Sequence, residues 1–273
     1  MYNQEALKKI IEKALISLLY DTGSDKLTDP VKYVLSMGGK RLRPVLALMS
    51  CNLFSDKIED AVIPAAGLEI FHNFTLVHDD IMDRAQLRRN LPTVHSKWNL
   101  NQAILSGDVM AFIAVECFLQ SPPAILHKVL KIFNKAAIDV CAGQQLDMDF
   151  EQSHVVNHDE YINMTGLKTA ALTAASAKIG ACFGGADEKN CNFAEELGKN
   201  LGLAFQIQDD LLDLYGETHI FGKMQGGDIA ANKKTFLFVK AMELAGNAKK
   251  KILQELFAAA TSCLLYTSPS PRD

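Results

Sequence analysis

The chain has 273 residues, of which 48% are hydrophobic and 22% are charged. This composition excludes a disordered protein and supplies enough apolar material for one large core or two small ones. Acidic residues outnumber basic ones, 32 to 28, and the net charge of −4 argues against a general nucleic-acid-binding role.

The beginning of the chain, residues 1–20, is predicted to form an amphipathic helix with lysines spread through it. It lacks the apolar block and small-residue cleavage site of a signal peptide. The six cysteines show no Cys-x-x-Cys pair and no His at zinc spacing, so we expect a reducing compartment, the cytoplasm. Charges such as Asp108 and Glu116 interrupt the apolar stretches, and no membrane-spanning segment is predicted.

Apolar residues recur at helical spacing through nearly the whole chain, and alternating strand patterns are scarce. The sequence therefore predicts an all-α fold. No Pro/Ser-rich linker and no fixed-period repeat divides it, so we expect a single helical domain over residues 1–261. The predicted helices span residues 3–20, 29–36, 42–53, 57–85, 99–119, 122–150, 158–182, 187–215 and 231–260.

The helical pattern ends near residue 261, and residues 262–273 are rich in Ser and Pro. One interpretation is a disordered tail. The other, which we favour, is a non-native segment, because LYTSPSPRD resembles a cloning or sequencing-adapter remnant. In that case the domain is truncated at its C-terminus.

Basic residues gather at one early segment, GGKRLRP, where Lys40, Arg41 and Arg43 lie between two glycines and Pro44. Proline at this position is typical of the first turn of a helix, where free N–H groups and cations together favour an anion. Further basic residues follow two acidic segments of the chain: Arg88, Arg89, Lys223 and Lys233.

Two aspartate clusters lie on predicted helices. The first aspartate cluster is Asp79, Asp80 and Asp83, and the second aspartate cluster is Asp209, Asp210 and Asp213. Carboxylates four residues apart share one helix face, where like charges repel each other. One such cluster fits a solvated surface equally well, but two copies inside apolar helices favour a bound cation. Carboxylate oxygens select Mg²⁺ or Mn²⁺, and Mg²⁺ commonly binds substrate phosphate as well.

Five ordered motifs carry a family resemblance: GGKRLRP, HDDIMD followed by RR, LKTAAL, FQIQDDLLD and GKMQGGDIAANKKT. Over residues 5–260 the chain resembles the trans-isoprenyl diphosphate synthases, the farnesyl and geranylgeranyl diphosphate synthase family. The resemblance implies an isoprenoid synthase helical bundle with a central active-site cavity, a homodimer, and Mg²⁺ or, alternatively, Mn²⁺ as cofactor. The implied substrates are isopentenyl diphosphate and an allylic diphosphate.

The resemblance also implies individual roles. Asp79 and Asp83 resemble the ligands of two Mg²⁺ ions, Asp209 resembles the ligand of a third, and Asp80, Asp210 and Asp213 resemble supporting groups. The residues that resemble the cationic clamp on the allylic diphosphate are Arg88, Lys168, Lys223 and Lys233. Those that resemble the isopentenyl diphosphate site are Lys40, Arg43, His72 and Arg89. The positions that match groups stabilising the carbocation are Lys168, Thr169 and Gln206.

The product length is implied by the residues before the first aspartate cluster, which form the floor of the product cavity in the family. The fifth residue before Asp79 is Phe74, the fourth is the small Thr75, and Phe71 is a further candidate for the floor. One aromatic plug rather than two favours geranylgeranyl diphosphate, with farnesyl diphosphate as the alternative. The interpretation of Phe74 as an ordinary core residue stays open.

Other functions remain possible at this point. Terpene cyclases and head-to-head synthases share the all-α bundle but lack GGKRLRP, and cyclases usually have a different second metal motif. A non-catalytic partner subunit of a heteromeric prenyl synthase commonly has eroded aspartate motifs, whereas both are intact here. A truncated enzyme with poor turnover is a third alternative, because the family continues past this end with further helices.

Overall fold

The computed structural model describes residues 2–18, 23–153, 155–216 and 226–258. These residues are overwhelmingly helical, and the all-α prediction is confirmed. The helices are α1 (Gln4–Ser17), α2 (Asp25–Ser36), α3 (Leu42–Phe54), α4 (Glu59–Met82), α5 (Val94–Lys97), α6 (Leu100–Leu119), α7 (Pro123–Gln152), α8 (His158–Thr165), α9 (Ala171–Phe183), α10 (Glu188–Tyr215), α11 (Gly227–Ala230), α12 (Phe236–Leu244) and α13 (Asn247–Ala258).

The chain clusters into two compact units, of which the first comprises Met1–Ala137 and Ala171–Asn200. Helix α4 is its centre and packs against α3, α6 and α9. Helices α3 and α9 approach so closely that a Cβ on Gly180 would overlap the carbonyl of Ala47. A buried hydrogen bond of 2.7 Å, from Ser50 Oγ to the carbonyl of Ala177, joins the same two helices. The first unit therefore holds the first aspartate cluster on a rigidly packed helix.

The second unit comprises Ile138–Ala170 and Leu201–Asp273. Its core is formed by apolar side chains of α8 and α12, including the fully buried Tyr161 and Val239. Helices α7 and α10 each contribute residues to both units. The single domain over residues 1–261 stays a prediction.

Three features differ from the predicted elements. The helix expected over 231–260 is wrong, because Ala245 is extended (ψ 143°) and separates α12 from α13. The helix expected over 158–182 contains a π-helical turn, Gly166–Ala170, between α8 and α9. A short antiparallel hairpin, β1 (Leu87–Arg88) and β2 (Leu91–Pro92), follows α4, and its two turn residues have positive φ as a tight hairpin turn requires.

Among the described residues, one helix is long and apolar enough to cross a membrane, namely α6, with a mean hydropathy of 1.6. Length and composition alone do not distinguish such a helix from the core helix of a globular protein. Helix α6 packs against α2, α4 and α5 within the first unit. Part of its surface remains apolar and exposed, notably at Leu105 and Phe112.

Candidate active site

The first aspartate cluster lies at the C-terminal end of α4. Asp79 is half-buried, and Asp83 is the exposed residue that caps the helix, with its backbone N–H donating to the Asp79 carbonyl at 2.8 Å. The C-terminal end of a helix carries the negative pole of the helix dipole, so two carboxylates there raise the local negative potential. A cation close to this end is therefore favoured.

Asp80 differs from its two neighbours because it is buried and bound to the protein. The Arg88 guanidinium donates three hydrogen bonds of 2.7–2.9 Å to its carboxylate. Burial lowers the pKa of Arg88, but its hydrogen bonds to Asp80 and the negative charges of Asp80, Asp79 and Asp83 together raise it by more, so Arg88 remains charged. This ion pair links the hairpin β1–β2 to the end of α4.

The second aspartate cluster lies at the C-terminal end of α10. Like the first, it has one buried aspartate and two more accessible ones. Asp210 is 4% exposed and accepts three hydrogen bonds, from the Tyr161 hydroxyl (2.7 Å), the Gln206 amide (2.9 Å) and the backbone N–H of Phe236 (2.7 Å). Asp209 is exposed. Asp213 is half-buried and accepts the backbone N–H of Asp228 at 3.1 Å.

Gln206 connects Asp210 to the π-helical turn. Its amide nitrogen donates to Asp210, and its amide oxygen accepts from the Thr169 hydroxyl at 2.8 Å. Both ends of the amide are therefore engaged, which fixes the orientation of its dipole. Burial and the hydrogen bond to Asp210 act together to raise the pKa of Tyr161, so that it serves as a hydrogen-bond donor.

Lys168 lies in the same π-helical turn and forms an ion pair with Asp147 of α7 at 2.5 Å. A Cβ on Gly143 would collide with the Lys168 backbone, so only glycine permits this close approach of α7 to the turn. The π-helical turn shifts the helical register locally, and such turns are frequent at functional sites.

The GGKRLRP motif forms a basic loop, residues 38–43, before and into the first turn of α3. Gly38, Gly39 and Arg41 all have positive φ, and for Arg41 (φ 53°) this costs on the order of 1–3 kcal/mol. A Cβ on Gly39 would lie 2.9 Å from the Arg89 guanidinium. The missing side chain lets Arg89 lie across the basic loop, where it donates to the Gly38 carbonyl.

The predicted isopentenyl diphosphate residues are all in the first unit. Lys40 is exposed and Arg43 is half-buried, and Nε of Arg43 has no hydrogen-bond partner in the described part of the chain. Burial lowers the pKa of His72 well below its usual value, and Arg43 and Arg89 lower it further. His72 is therefore neutral beside a group of guanidinium ions, an arrangement that favours an anion.

The predicted cavity-floor residues lie on α4 before the aspartates. The Phe74 ring packs 4.9 Å from the His78 ring and 5.2 Å from Phe71, and Phe71 in turn packs 5.1 Å from Phe133. The Thr75 hydroxyl donates back to the His72 carbonyl at 2.7 Å. Because Phe74 is only half-buried while Phe71 is 4% exposed, Phe74 is the floor candidate with an accessible surface.

Not every predicted site residue can be placed. Lys223 lies outside the described residues, whereas Lys233 is half-buried and its backbone N–H donates to the Asp228 carbonyl at 2.9 Å. Within the described ranges no three His, Cys, Asp or Glu side chains converge as a preformed metal cluster.

Several polar residues escaped the sequence-based prediction. They are Glu69 and Asn73 beneath the basic loop, Tyr161 on Asp210, and Asp147 on Lys168. Glu69 had a visible signal, because it lies three residues before His72 in an otherwise apolar helix. Asn73 lies one turn after Glu69 on the same helix, whereas Tyr161 and Asp147 are distant in sequence from their partners and depend on the packing.

Comparison with known proteins identifies the family. Residues 24–264 match the polyprenyl synthetase family. The short chain isoprenyl diphosphate synthase of Methanocaldococcus jannaschii is 41% identical, over 94% of this chain and 77% of that protein. The geranylgeranyl diphosphate synthase of Methanosarcina mazei is 37% identical, over 96% and 80%.

A solved structure agrees with these relatives. The crystal structure of a geranylgeranyl pyrophosphate synthase superposes with a TM-score of 0.90 at 44% identity, covering 94% of this chain and 78% of that one. Prenyl synthases of this family depend on a divalent metal ion. The chain therefore belongs to the polyprenyl synthetase family and is an enzyme of the trans-prenyltransferase type.

Proposed function

We propose that the chain condenses isopentenyl diphosphate with an allylic diphosphate and makes geranylgeranyl diphosphate as its main product. The division of labour within the two aspartate clusters carries this proposal. In each cluster one aspartate, Asp80 or Asp210, is buried and held by protein donors. The more accessible aspartates remain at the negative end of a helix, where they suit cation-mediated diphosphate binding.

The donor set fits Mg²⁺, because carboxylate oxygens are its usual protein ligands. Asp79 and Asp83 would hold two Mg²⁺ ions and Asp209 a third, as the family resemblance implies, and Mn²⁺ is a possible substitute. When bound, the metal neutralises the diphosphate and draws electron density towards the leaving group. Asp80, Asp210 and Asp213 would support these ligands.

Diphosphate binding also uses the chain's own cations. The basic loop, with Lys40, Arg43 and Arg89, would bind isopentenyl diphosphate together with neutral His72. The groups that would bind the allylic diphosphate are Arg88, Lys168, Lys233 and, beyond the described residues, Lys223. Ion pairs with Asp80 and Asp147 hold Arg88 and Lys168 in place before substrate arrives.

The chemistry itself needs no protein nucleophile. The allylic C–O bond breaks, the isopentenyl double bond attacks the resulting carbocation, and the departing diphosphate takes up the released proton. Oxygen dipoles of Gln206 and Thr169 would stabilise the cation, and the fixed hydrogen bonds from Thr169 through Gln206 to Asp210 orient them in advance.

Product length follows from the aromatic side chains of α4. Phe74 would close the growing chain's cavity first, and Phe71, packed behind it, would add a second layer. Thr75, being small and bonded to its own helix, leaves room beside Phe74. Relatives named geranylgeranyl diphosphate synthase support this product length.

A homodimer in the cytoplasm completes the proposal. Helix α6 exposes Leu105 (57%), Phe112 (74%) and Leu119 (48%) at seven-residue spacing, an apolar stripe that a second copy of the chain would cover.

The scattered cysteines support a reducing compartment. Imaging of a fluorescent fusion tests that location, and a secreted or organellar signal would contradict it.

The purified chain alone should make geranylgeranyl diphosphate from isopentenyl diphosphate and an allylic primer when Mg²⁺ is present. Turnover should stop on addition of EDTA and return with excess Mg²⁺ or Mn²⁺, because the carboxylates cannot bind the diphosphate directly. Mass analysis of the product checks both points. Activity only after addition of a second prenyl synthase subunit would instead indicate a non-catalytic partner.

Asp79→Asn should reduce kcat/KM roughly 100-fold or more, because it removes a metal-binding charge without changing side-chain size. Asp60→Asn makes the same change at the exposed opposite end of α4 and should leave turnover near that of the wild type. Steady-state kinetics at saturating Mg²⁺, with circular dichroism as a check of folding, measures both. Equal activities in the two variants would refute the metal role of Asp79.

Phe74→Ala should lengthen the product beyond geranylgeranyl diphosphate, because the lost ring opens volume below the growing chain. Phe193→Ala removes a ring that is 58% exposed on α10 and should leave the product unchanged. Chromatography of the dephosphorylated alcohols compares the two variants. An unchanged product in Phe74→Ala would show that Phe74 is an ordinary core residue.

Phe112→Ser should shift the protein from dimer to monomer, because it places a polar group at the centre of the α6 stripe. Ile16→Ser, at a residue that is 86% exposed on α1, is the matched control and should remain dimeric. Sedimentation velocity distinguishes the two species. A wild-type monomer, or a dimer unaffected by Phe112→Ser, would contradict the proposed interface.

A further inference from the structure

A buried ion pair lies beneath the basic loop. Nη1 of Arg41 donates to Oε1 of Glu69 at 2.7 Å, and Nη2 donates to the Leu35 carbonyl at 2.8 Å. Asn73 donates to the same Glu69 oxygen at 3.2 Å and to the Glu69 carbonyl at 2.8 Å. Arg41, Glu69 and Asn73 are 5%, 2% and 1% exposed, so none of them belongs to the accessible surface.

A buried ion pair is by itself weak evidence for a stabilising role. The desolvation free energy of two buried charges cancels much of their electrostatic attraction. Apolar residues of similar size often stabilise a core equally well. An isolated survivor of a buried pair is costly, because it remains charged and unsolvated. The Arg41–Glu69 pair therefore suits a role in which geometry matters more than stability.

The geometry concerned is that of the basic loop. Arg41 has a left-handed backbone (φ 53°, ψ 36°) at the residue that precedes α3, and its carbonyl accepts the Val45 N–H at 3.1 Å. A non-glycine residue keeps this conformation only when its surroundings enforce it. Because Lys40 adjoins Arg41 and Arg43 follows by two residues, the backbone at Arg41 sets how these two cations face each other.

The negative charge of Glu69 also acts on the cations of the basic loop. Burial lowers the pKa of Arg43 and of Arg89, and Glu69 opposes this effect at both residues. Its Oε1 already accepts from Arg41 and Asn73. From its buried position, Glu69 thus offsets the repulsion among the guanidinium groups, while Lys40 and Arg89 remain exposed.

We propose that the Arg41–Glu69 ion pair is a positioning element for isopentenyl diphosphate: it fixes the backbone of the basic loop so that Lys40 and Arg43 grip one diphosphate. Neither Arg41 nor Glu69 contacts the substrate. The inference rests on the proposed function, in which the basic loop is the isopentenyl diphosphate site.

A double-mutant cycle separates positioning from stability. Arg41→Met and Glu69→Met should each lower the unfolding temperature, because each leaves a buried charge alone, and the double variant should recover most of that loss. The affinity of the double variant for isopentenyl diphosphate should not recover. The Kd for isopentenyl diphosphate, titrated calorimetrically without a primer so that no turnover occurs, should be raised about tenfold or more in all three variants.

Two further variants keep the test interpretable. Glu69→Gln retains the acceptor oxygen but loses the charge, so it should fold and raise this Kd by a smaller factor. Ser50→Ala removes the buried hydrogen bond to Ala177 in the same unit, so it should lower the unfolding temperature with little change in Kd. In every variant that turns over, the KM for the allylic primer should change by less than about twofold.

The outcomes are distinct. A double variant with both the stability and the Kd of the wild type would overturn the positioning role, as would a Kd increase in Ser50→Ala equal to that of Glu69→Met. A wild-type chain that binds no isopentenyl diphosphate would instead contradict the proposed function itself.

Discussion

Concentrated negative charge at the C-terminal ends of two helices is the constraint on which this structure depends. Asp79 and Asp83 end α4, and Asp209 and Asp213 lie in the last turns of α10, so each group adds carboxylates to a helix end that is already negative. Under the proposed function, cations bound at these two ends would relieve the repulsion.

Three buried carboxylates of the candidate site hold neighbouring side chains in place through hydrogen bonds. Asp80 anchors Arg88, Asp210 gathers Tyr161 and Gln206, and Glu69 anchors Arg41. In each case the buried carboxylate is paired with protein donors, which is the condition for keeping a charge out of water. The proposed metal ligands are the more accessible aspartates of the two clusters. A substitution at a buried acid should therefore disturb geometry first, whereas one at an exposed acid should disturb ligand affinity first.

The sequence predicted most of the helices, because helical periodicity is a local pattern. Helical periodicity located α4 and α10, and the Asp spacing of each cluster was visible within a single turn. The sequence-based prediction failed where the helical apolar pattern continues but the backbone geometry changes. The break at Ala245 continues into Gly246, a poor helix former that the helix predicted over 231–260 ran through, and the π-helical turn at Gly166–Ala170 preserves the apolar spacing of an ordinary helix.

The positioning contacts were the least predictable part of the site. Arg41 was visible as one more cation in a basic motif, but its inward direction depends on a left-handed backbone that no propensity favours for arginine. Tyr161 meets Asp210 across 49 residues of sequence, so only the packing of α8 against α10 brings them together. Sequence spacing reveals residues that act together on one helix; partners on different helices emerge from the fold.

The claim that carboxylates bind the allylic diphosphate only through a cation is tested most directly by equilibrium binding of a non-ionising allylic thiodiphosphate. Isothermal titration should give an affinity at least about tenfold higher in Mg²⁺ than in EDTA, and Asp79→Asn should remove most of that difference. Equal affinity with and without Mg²⁺ would contradict the account, because the lysines and arginines alone would then suffice.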